Sequence, residues 1–147
     1  PMAKEYCQKI KNEVLDKAHE EWDNLEQEKK NVLSILINKF MRRKVTQEAI
    51  IEDDVWLEKP TKREVRELIR QLRVQHQYPI ISDSSGYTFP RDKAEAQEYI
   101  DRLENTVQST IRSHHQTYKA MNLALGMDSA FFEQMELPNL DKQNKNE

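Results

Sequence analysis

The chain has 147 residues, 33% of them charged and 37% hydrophobic, with two glycines, five prolines, one cysteine and a formal net charge of -3. That length holds one domain with extensions. Disulfide scaffolds, collagen and membrane spans are excluded, since they need paired cysteines, periodic glycine or roughly 18 consecutive apolar residues, and the scarcity of glycine disfavours sandwiches and barrels and points to a mainly α protein.

Pro1 stands ahead of Met2, the expected natural start, and no apolar run of signal-peptide length follows. Over residues 2–30 the apolar side chains Cys7, Ile10, Val14, Ala18, Trp22 and Leu25 recur at three- and four-residue steps, the pattern of one N-terminal amphipathic helix. Cys7 is in register on that face and reads as a small buried apolar residue rather than a reactive thiol; a lone cysteine suits a reducing cytoplasm. Residues 32–41 are denser in apolar side chains and mark a central core helix, with Arg42, Arg43 and Lys44 complementing its C-terminal dipole.

Thr46 is an N-cap candidate for a short helix whose apolar side is Ala49, Ile50 and Ile51. A polar connection over residues 52–60 is expected to be anchored by Val55, Trp56 and Leu57. Thr61 and Glu64 then have capping-box spacing, opening a helix over residues 62 to about 75. Two β-prone runs follow within residues 78–90, separated by Asp83, Ser84, Ser85 and Gly86, which is a hairpin signature. Gly86 marks a backbone conformation that other residues tolerate poorly.

From Asp92 to Leu125 no proline or glycine interrupts the chain, and the ladder Ala96, Ile100, Leu103, Val107, Ile111, His114, Tyr118, Met121, Leu125 alternates steps of three and four with one stutter. This is a coiled-coil seam about 50 Å long at 1.5 Å per residue. A helix of that length must pack on the N-terminal helix, on a second copy, or on both, so Ile100, Leu103, Val107, Ile111, His114, Tyr118, Met121 and Leu125 are the candidate homodimer contacts. Gly126 suits a helix C-cap, and residues 127–147 read as an acidic, partly disordered tail.

Taken together, residues 31–90 give helix, short strand at Val45, helix, connection, helix, strand, wing, strand, the order of a winged helix-turn-helix domain, so the fold class is mainly α with a small β part. The segment from Thr61 to Phe89 resembles the N-terminal winged-helix domain of the biotin repressor, in which a capped recognition helix ends in a Leu-Arg pair, here Leu72-Arg73, and a Gly-Tyr pair, here Gly86-Tyr87, closes the wing. Where that family usually has glycine after the recognition helix, this chain has His76. The run Arg63-Glu64-Val65-Arg66, with Tyr78-Pro79-Ile80, the Gly-Tyr wing and a long following helix, is also similar to small winged-helix proteins of Gram-positive phages and prophages. The resemblance implies double-stranded DNA as partner, a bacterial host cytoplasm, and a role as transcriptional regulator or replication-associated DNA binder.

At about 100° per residue, Val65, Leu68, Ile69 and Leu72 share one arc of the recognition helix, and Lys62, Arg63, Arg66, Arg70 and Arg73 share another, with Glu64 and Glu67 off the basic stripe. Guanidinium groups on such a stripe suit phosphates and guanine edges, whereas the plain alternative is a solvated face paired to nearby carboxylates. The charge is divided accordingly: residues 31–89 have ten basic and eight acidic side chains, the only positive segment, while residues 1–30 have six and eight, 90–126 five and five, and 127–147 two and five. The wing has no Lys or Arg, so Ser84 and Ser85 are left to contact phosphates, and Tyr87 is expected to pack on the core.

No enzymatic role is expected, and no cofactor or metal. His114 and His115 are adjacent and diverge on a helix, and no phosphate loop or nucleophile elbow appears. Gln134, Met135 and Leu137 resemble the start of the peptide by which bacterial replication proteins dock into the sliding clamp, with Pro138 in place of the usual aromatic. A second function class stays open: an adaptor or inhibitor whose winged helix and coil bind a replication or defence protein.

Overall fold

A computed structural model describes residues 2–126. It is mainly helical with a two-stranded antiparallel sheet: α1 (Met2–Glu21), a 3-10 turn (Trp22–Asn24), α2 (Gln27–Lys39), α3 (Gln47–Ile51), α4 (Lys62–Val74), β1 (Ile81–Asp83), β2 (Gly86–Thr88) and α5 (Lys93–Leu125). Residues 2–98 form one compact unit, and α5 carries the chain on into a second that begins at Tyr99.

The first unit is organised by α2, whose Val32, Leu33, Ile35, Leu36 and Ile37 are all buried, as the apolar density of that stretch requires. α1 packs on α2, with Val14 and Ala18 buried in the shared core, and α4 packs on both α2 and α3. Phe40, just past α2, meets Phe89, just past β2, edge to face with ring centroids 5.3 Å apart, an arrangement that matches the ring quadrupoles and closes the core.

The expected single helix over residues 2–30 is broken. Leu25 (φ -89°, ψ 139°) and Glu26 (φ -65°, ψ 148°) are extended, and α2 starts at Gln27 rather than Val32. A continuous helix could not fold α1 back onto α2, whose buried residues share one core with Val14 and Ala18. Burial of both faces therefore overrides a periodicity that runs unbroken through Trp22 and Leu25. Lys30 closes the corner, its ammonium 5.3 Å from the Trp22 ring centroid.

The hairpin is short. Ser82 pairs with Tyr87 and Asp83 with Gly86, and Ser84 and Ser85 make the turn, pinned by the Ser85 amide donating to Asp83 Oδ1 at 2.7 Å. Val45 adds a bridge on the other side of β2: its amide donates to the Tyr87 carbonyl at 2.7 Å and its carbonyl accepts from the Tyr87 amide at 2.8 Å. Gly86 sits at φ +129°, and a Cβ there would stand 2.6 Å from the Val45 carbonyl oxygen. Both the backbone angle and the close approach demand glycine.

At the exit of α4 the left-handed residue is Gln77 (φ 61°), one place after His76. His76 is instead occupied by its ring. Buried Lys29 donates to His76 Nε2 at 3.1 Å, and since an ammonium only donates, the ring proton belongs on Nδ1, which lies 4.0 Å from Glu21 Oε2. Tyr78 donates to the same carboxylate at 3.0 Å. Burial, reinforced by that bond to Glu21, pushes the Tyr78 hydroxyl above its ordinary range. These contacts tie the end of α1 to the end of α4.

Candidate nucleic-acid interface

α4 is built to present one face. Thr61 Oγ1 accepts from the Glu64 amide at 3.1 Å and Glu64 Oε1 accepts from the Thr61 amide at 3.3 Å, the reciprocal capping box expected from their spacing. Val65, Leu68, Ile69 and Leu72 are buried, which fixes the helix rotation, and Lys62, Arg63, Arg66 and Arg70 are consequently turned to solvent.

The five basic residues of the stripe do not share one fate. Arg66 makes no ion pair or side-chain hydrogen bond among the described residues. Lys62 reaches back to α3 and lies 3.2 Å from Glu48; the Glu48 carboxyl is held below its ordinary range by its own backbone amide and by Lys62. Arg70 forms a two-point pair with Glu67, at 3.0 Å and 2.7 Å, although Glu67 was expected off the stripe. The reason is the i, i+3 spacing, which makes helix-surface neighbours of residues that a wheel assigns to different arcs. The Arg70 bond, followed by one from Gln71, lowers the Glu67 carboxyl to about 2. Both partners are exposed, so the pair is a weak restraint that a phosphate can compete with.

Arg73 is half-buried. Its Nε donates to the Ile80 carbonyl at 2.8 Å and its guanidinium lies 3.4 Å from Ser82 Oγ, so it joins the end of α4 to β1. Ser84 and Ser85 are exposed at the hairpin turn. Tyr87 packs against the core with its hydroxyl accepting from Gln47 at 3.1 Å. One basic group missed by the sequence reading joins the hairpin: Lys44, read there as part of a helix end, pairs with Asp83. Its signal was its place beside Val45, whose bridge to β2 brings residue 44 to the turn.

The connection before α4 departs from expectation. Trp56 is its anchor, donating from Nε1 to the Ile50 carbonyl at 2.7 Å, and Asp53 Oδ1 caps the Val55 amide at 3.0 Å. Val55 and Leu57 do not anchor: Leu57 is 107% exposed. The indole takes the inward place, and its two neighbours are turned out. Glu52, Asp53, Asp54 and Glu58 flank this apolar tip in the chain, with Glu52 2.8 Å from Lys59 and Asp53 3.5 Å from Lys39.

On α5, Ile100, Leu103, Val107, Tyr118, Met121 and Leu125 are exposed, His114 is exposed and Ile111 half-buried. Gly126 is left-handed (φ 67°), as a C-cap glycine should be. Cys7 is buried, and burial pushes its thiol up. Among the described residues no three His, Cys, Asp or Glu side chains converge on a metal-sized site, and no helix is long and apolar enough to cross a membrane. Gln134, Met135 and Leu137 lie outside the described residues, with the rest of the tail. Compared with protein-family models, with curated proteins and with solved structures, the chain matches none of them.

Proposed function

We propose that residues 27–90 act as a winged helix-turn-helix DNA-binding domain of phage or prophage type, with α4 as recognition helix, the β1–β2 hairpin as wing and the protein working as a homodimer in a bacterial cytoplasm, in transcription regulation or at a replication site. The observation that carries the reading is the division of α4: a buried apolar face locks the helix while Lys62, Arg63, Arg66 and Arg70 stand exposed beside one another. The element order supports it, since α2, α3 and α4 precede a hairpin in which β1 and β2 pair and Val45 bridges β2 from its other side. Arg73, bonded to Ile80, acts by holding the wing against α4, and Lys44 lets the otherwise acidic wing approach phosphate.

A salt-titrated binding measurement on duplex DNA tests this. Association at low salt should fall with a log–log slope of about -0.9 per phosphate neutralised, and Arg66→Ala should weaken binding on every sequence and reduce that slope by about 1. No association at low salt, or unchanged association in an Arg63, Arg66, Arg70 triple alanine variant, overturns the reading.

One observation favours a second reading, that of an adaptor or inhibitor of a replication or defence protein. Leu57 is held fully exposed directly before α4, between Asp54 and Glu58 in the chain, with Glu52 paired to Lys59 and Asp53 to Lys39, and this mildly acidic tip suits an apolar pocket with a basic rim better than a polyanion. This reading expects Leu57→Ser to abolish function and Arg66→Ala to leave it intact.

A further inference from the structure

We propose that α5 pairs with α5 of a second copy in antiparallel orientation, with Val107 of one helix packed beside Tyr118 of the other. This rests on the homodimer reading above and adds the orientation, which decides where the two copies of residues 2–98 join the coil.

The seam itself asks for a partner. Ile100, Leu103, Val107, Tyr118 and Met121 are 46–56% exposed and Leu125 is 74% exposed, although their three- and four-residue spacing places them on one stripe. Beside the seam, the Thr106, Thr110 and Thr117 hydroxyls each donate to the carbonyl four residues back at 2.9 Å.

Charge chooses the direction. From Lys93 to Ile111 the helix holds four acidic side chains, Glu95, Glu98, Asp101 and Glu104, against two basic ones, Lys93 and Arg102; from Arg112 to Leu125 it holds Arg112 and Lys119 and no acid. A parallel pair would set acidic half beside acidic half and basic beside basic. An antiparallel pair sets each against its opposite, and the two helix dipoles oppose as well.

Side-chain size agrees. With a twofold axis between Arg112 and Ser113, the seam falls into four kinds of layer: Ile100 with Leu125, Leu103 with Met121, Val107 with Tyr118, and Ile111 with His114. Small faces large at Val107 and Tyr118, and the imidazole faces an aliphatic chain. In a parallel pair Tyr118 would stack on Tyr118 and His114 on His114, leaving over-filled layers beside an under-filled one at Val107.

The antiparallel coil brings the two Ile100 positions to opposite ends, about 40 Å apart at 1.5 Å per residue. Each copy of residues 2–98 therefore joins the coil from its own end.

Disulfide trapping tests the orientation in the full chain, in a Cys7→Ala background with helicity checked by circular dichroism. A disulfide needs α-carbons within about 7 Å, and in the antiparallel pair the two 107 positions are displaced by about 16 Å along the axis. Val107→Cys alone should remain unlinked, whereas a mixture of Val107→Cys and Tyr118→Cys chains should give a covalent dimer on mild oxidation. Linking of Val107→Cys to itself overturns the orientation and leaves the homodimer standing. A sedimentation dimer that links in neither case overturns the α5 interface. A monomer at tens of micromolar overturns the homodimer reading and this inference together. Salt gives an independent check: dimerisation should weaken as ionic strength rises, and strengthening instead points to the parallel pair.

Discussion

Leu36 and Leu103 are the same side chain, one on a helix dense in apolar residues and the other on a helix with a single apolar seam, and Leu36 is wholly buried whereas Leu103 is 47% exposed. In residues 2–98 every strongly apolar face finds another: α1 covers α2, α4 covers α2 and α3, and Phe40 and Phe89 seal the far end. Beyond Glu98 an apolar seam stands open. Periodicity thus states that a face wants burial, and only the supply of neighbours decides whether the same chain provides it.

The sharpest way to break this comparison is to truncate both leucines. Leu36→Ala should destabilise the first unit by about 3 kcal/mol, through lost transfer energy and a cavity, whereas Leu103→Ala should change monomer stability by less than about 0.5 kcal/mol. Denaturant midpoints measured at concentrations below dimerisation read both, and equal costs would mean that α5 is covered within the monomer.

Gly86→Ala comes next, at about 2 to 3 kcal/mol, because the added carbon meets the Val45 carbonyl oxygen at 2.6 Å and the φ of +129° is strained for alanine. Gly126→Ala is the matched control in the second region. Nothing stands within 4 Å of a Cβ there, so its cost is confined to the left-handed backbone, about 1 kcal/mol, and to fraying of the helix end. A smaller gain is expected from Gln77→Gly, about 0.5 to 1 kcal/mol in thermal or denaturant unfolding, since Gln77 holds φ 61°.

The least effect belongs to the surface pair on α4. The Glu67 carboxyl is lowered to about 2 by Arg70, so its contribution is complete above the ordinary carboxylate range and is lost as pH falls from about 4.5 towards 2. The stability difference between wild type and Glu67→Gln should therefore be small at neutral pH and disappear on acidification. On DNA the same substitution should raise affinity, by freeing Arg70 and removing a negative charge.

Much of this was legible in the chain. The Thr61 and Glu64 capping box, the Thr46 cap, Gly86 in the hairpin and the uninterrupted helix to Leu125 each depend on local chemistry, and each lies where its spacing puts it. What escaped depends on distant neighbours. The corner at Leu25 and Glu26 has no proline, glycine or side-chain cap, and exists because α1 must fold back on α2. Arg73 shares a wheel arc with Arg66 and Arg70, but β1 lies close enough to take its guanidinium. The exposed tip at Leu57 follows from Trp56 taking the inward position. The candidate site was thus half readable: the helix and its basic face belong to local sequence, and the inventory of which cations are engaged belongs to the fold.

The bridge between Val45 and Tyr87 has a kinetic side as well. It encloses α3, the Leu57 tip, α4 and β1 within one closed loop of chain, so its two hydrogen bonds can form only after the intervening helices have brought distant segments together. Once formed, they are shielded from water, because Val45 is buried and Tyr87 packs on the core that also holds α4. The Val45 and Tyr87 amides should accordingly exchange with solvent at the rate of global opening, making them reporters of when the candidate interface, as a unit, ceases to exist.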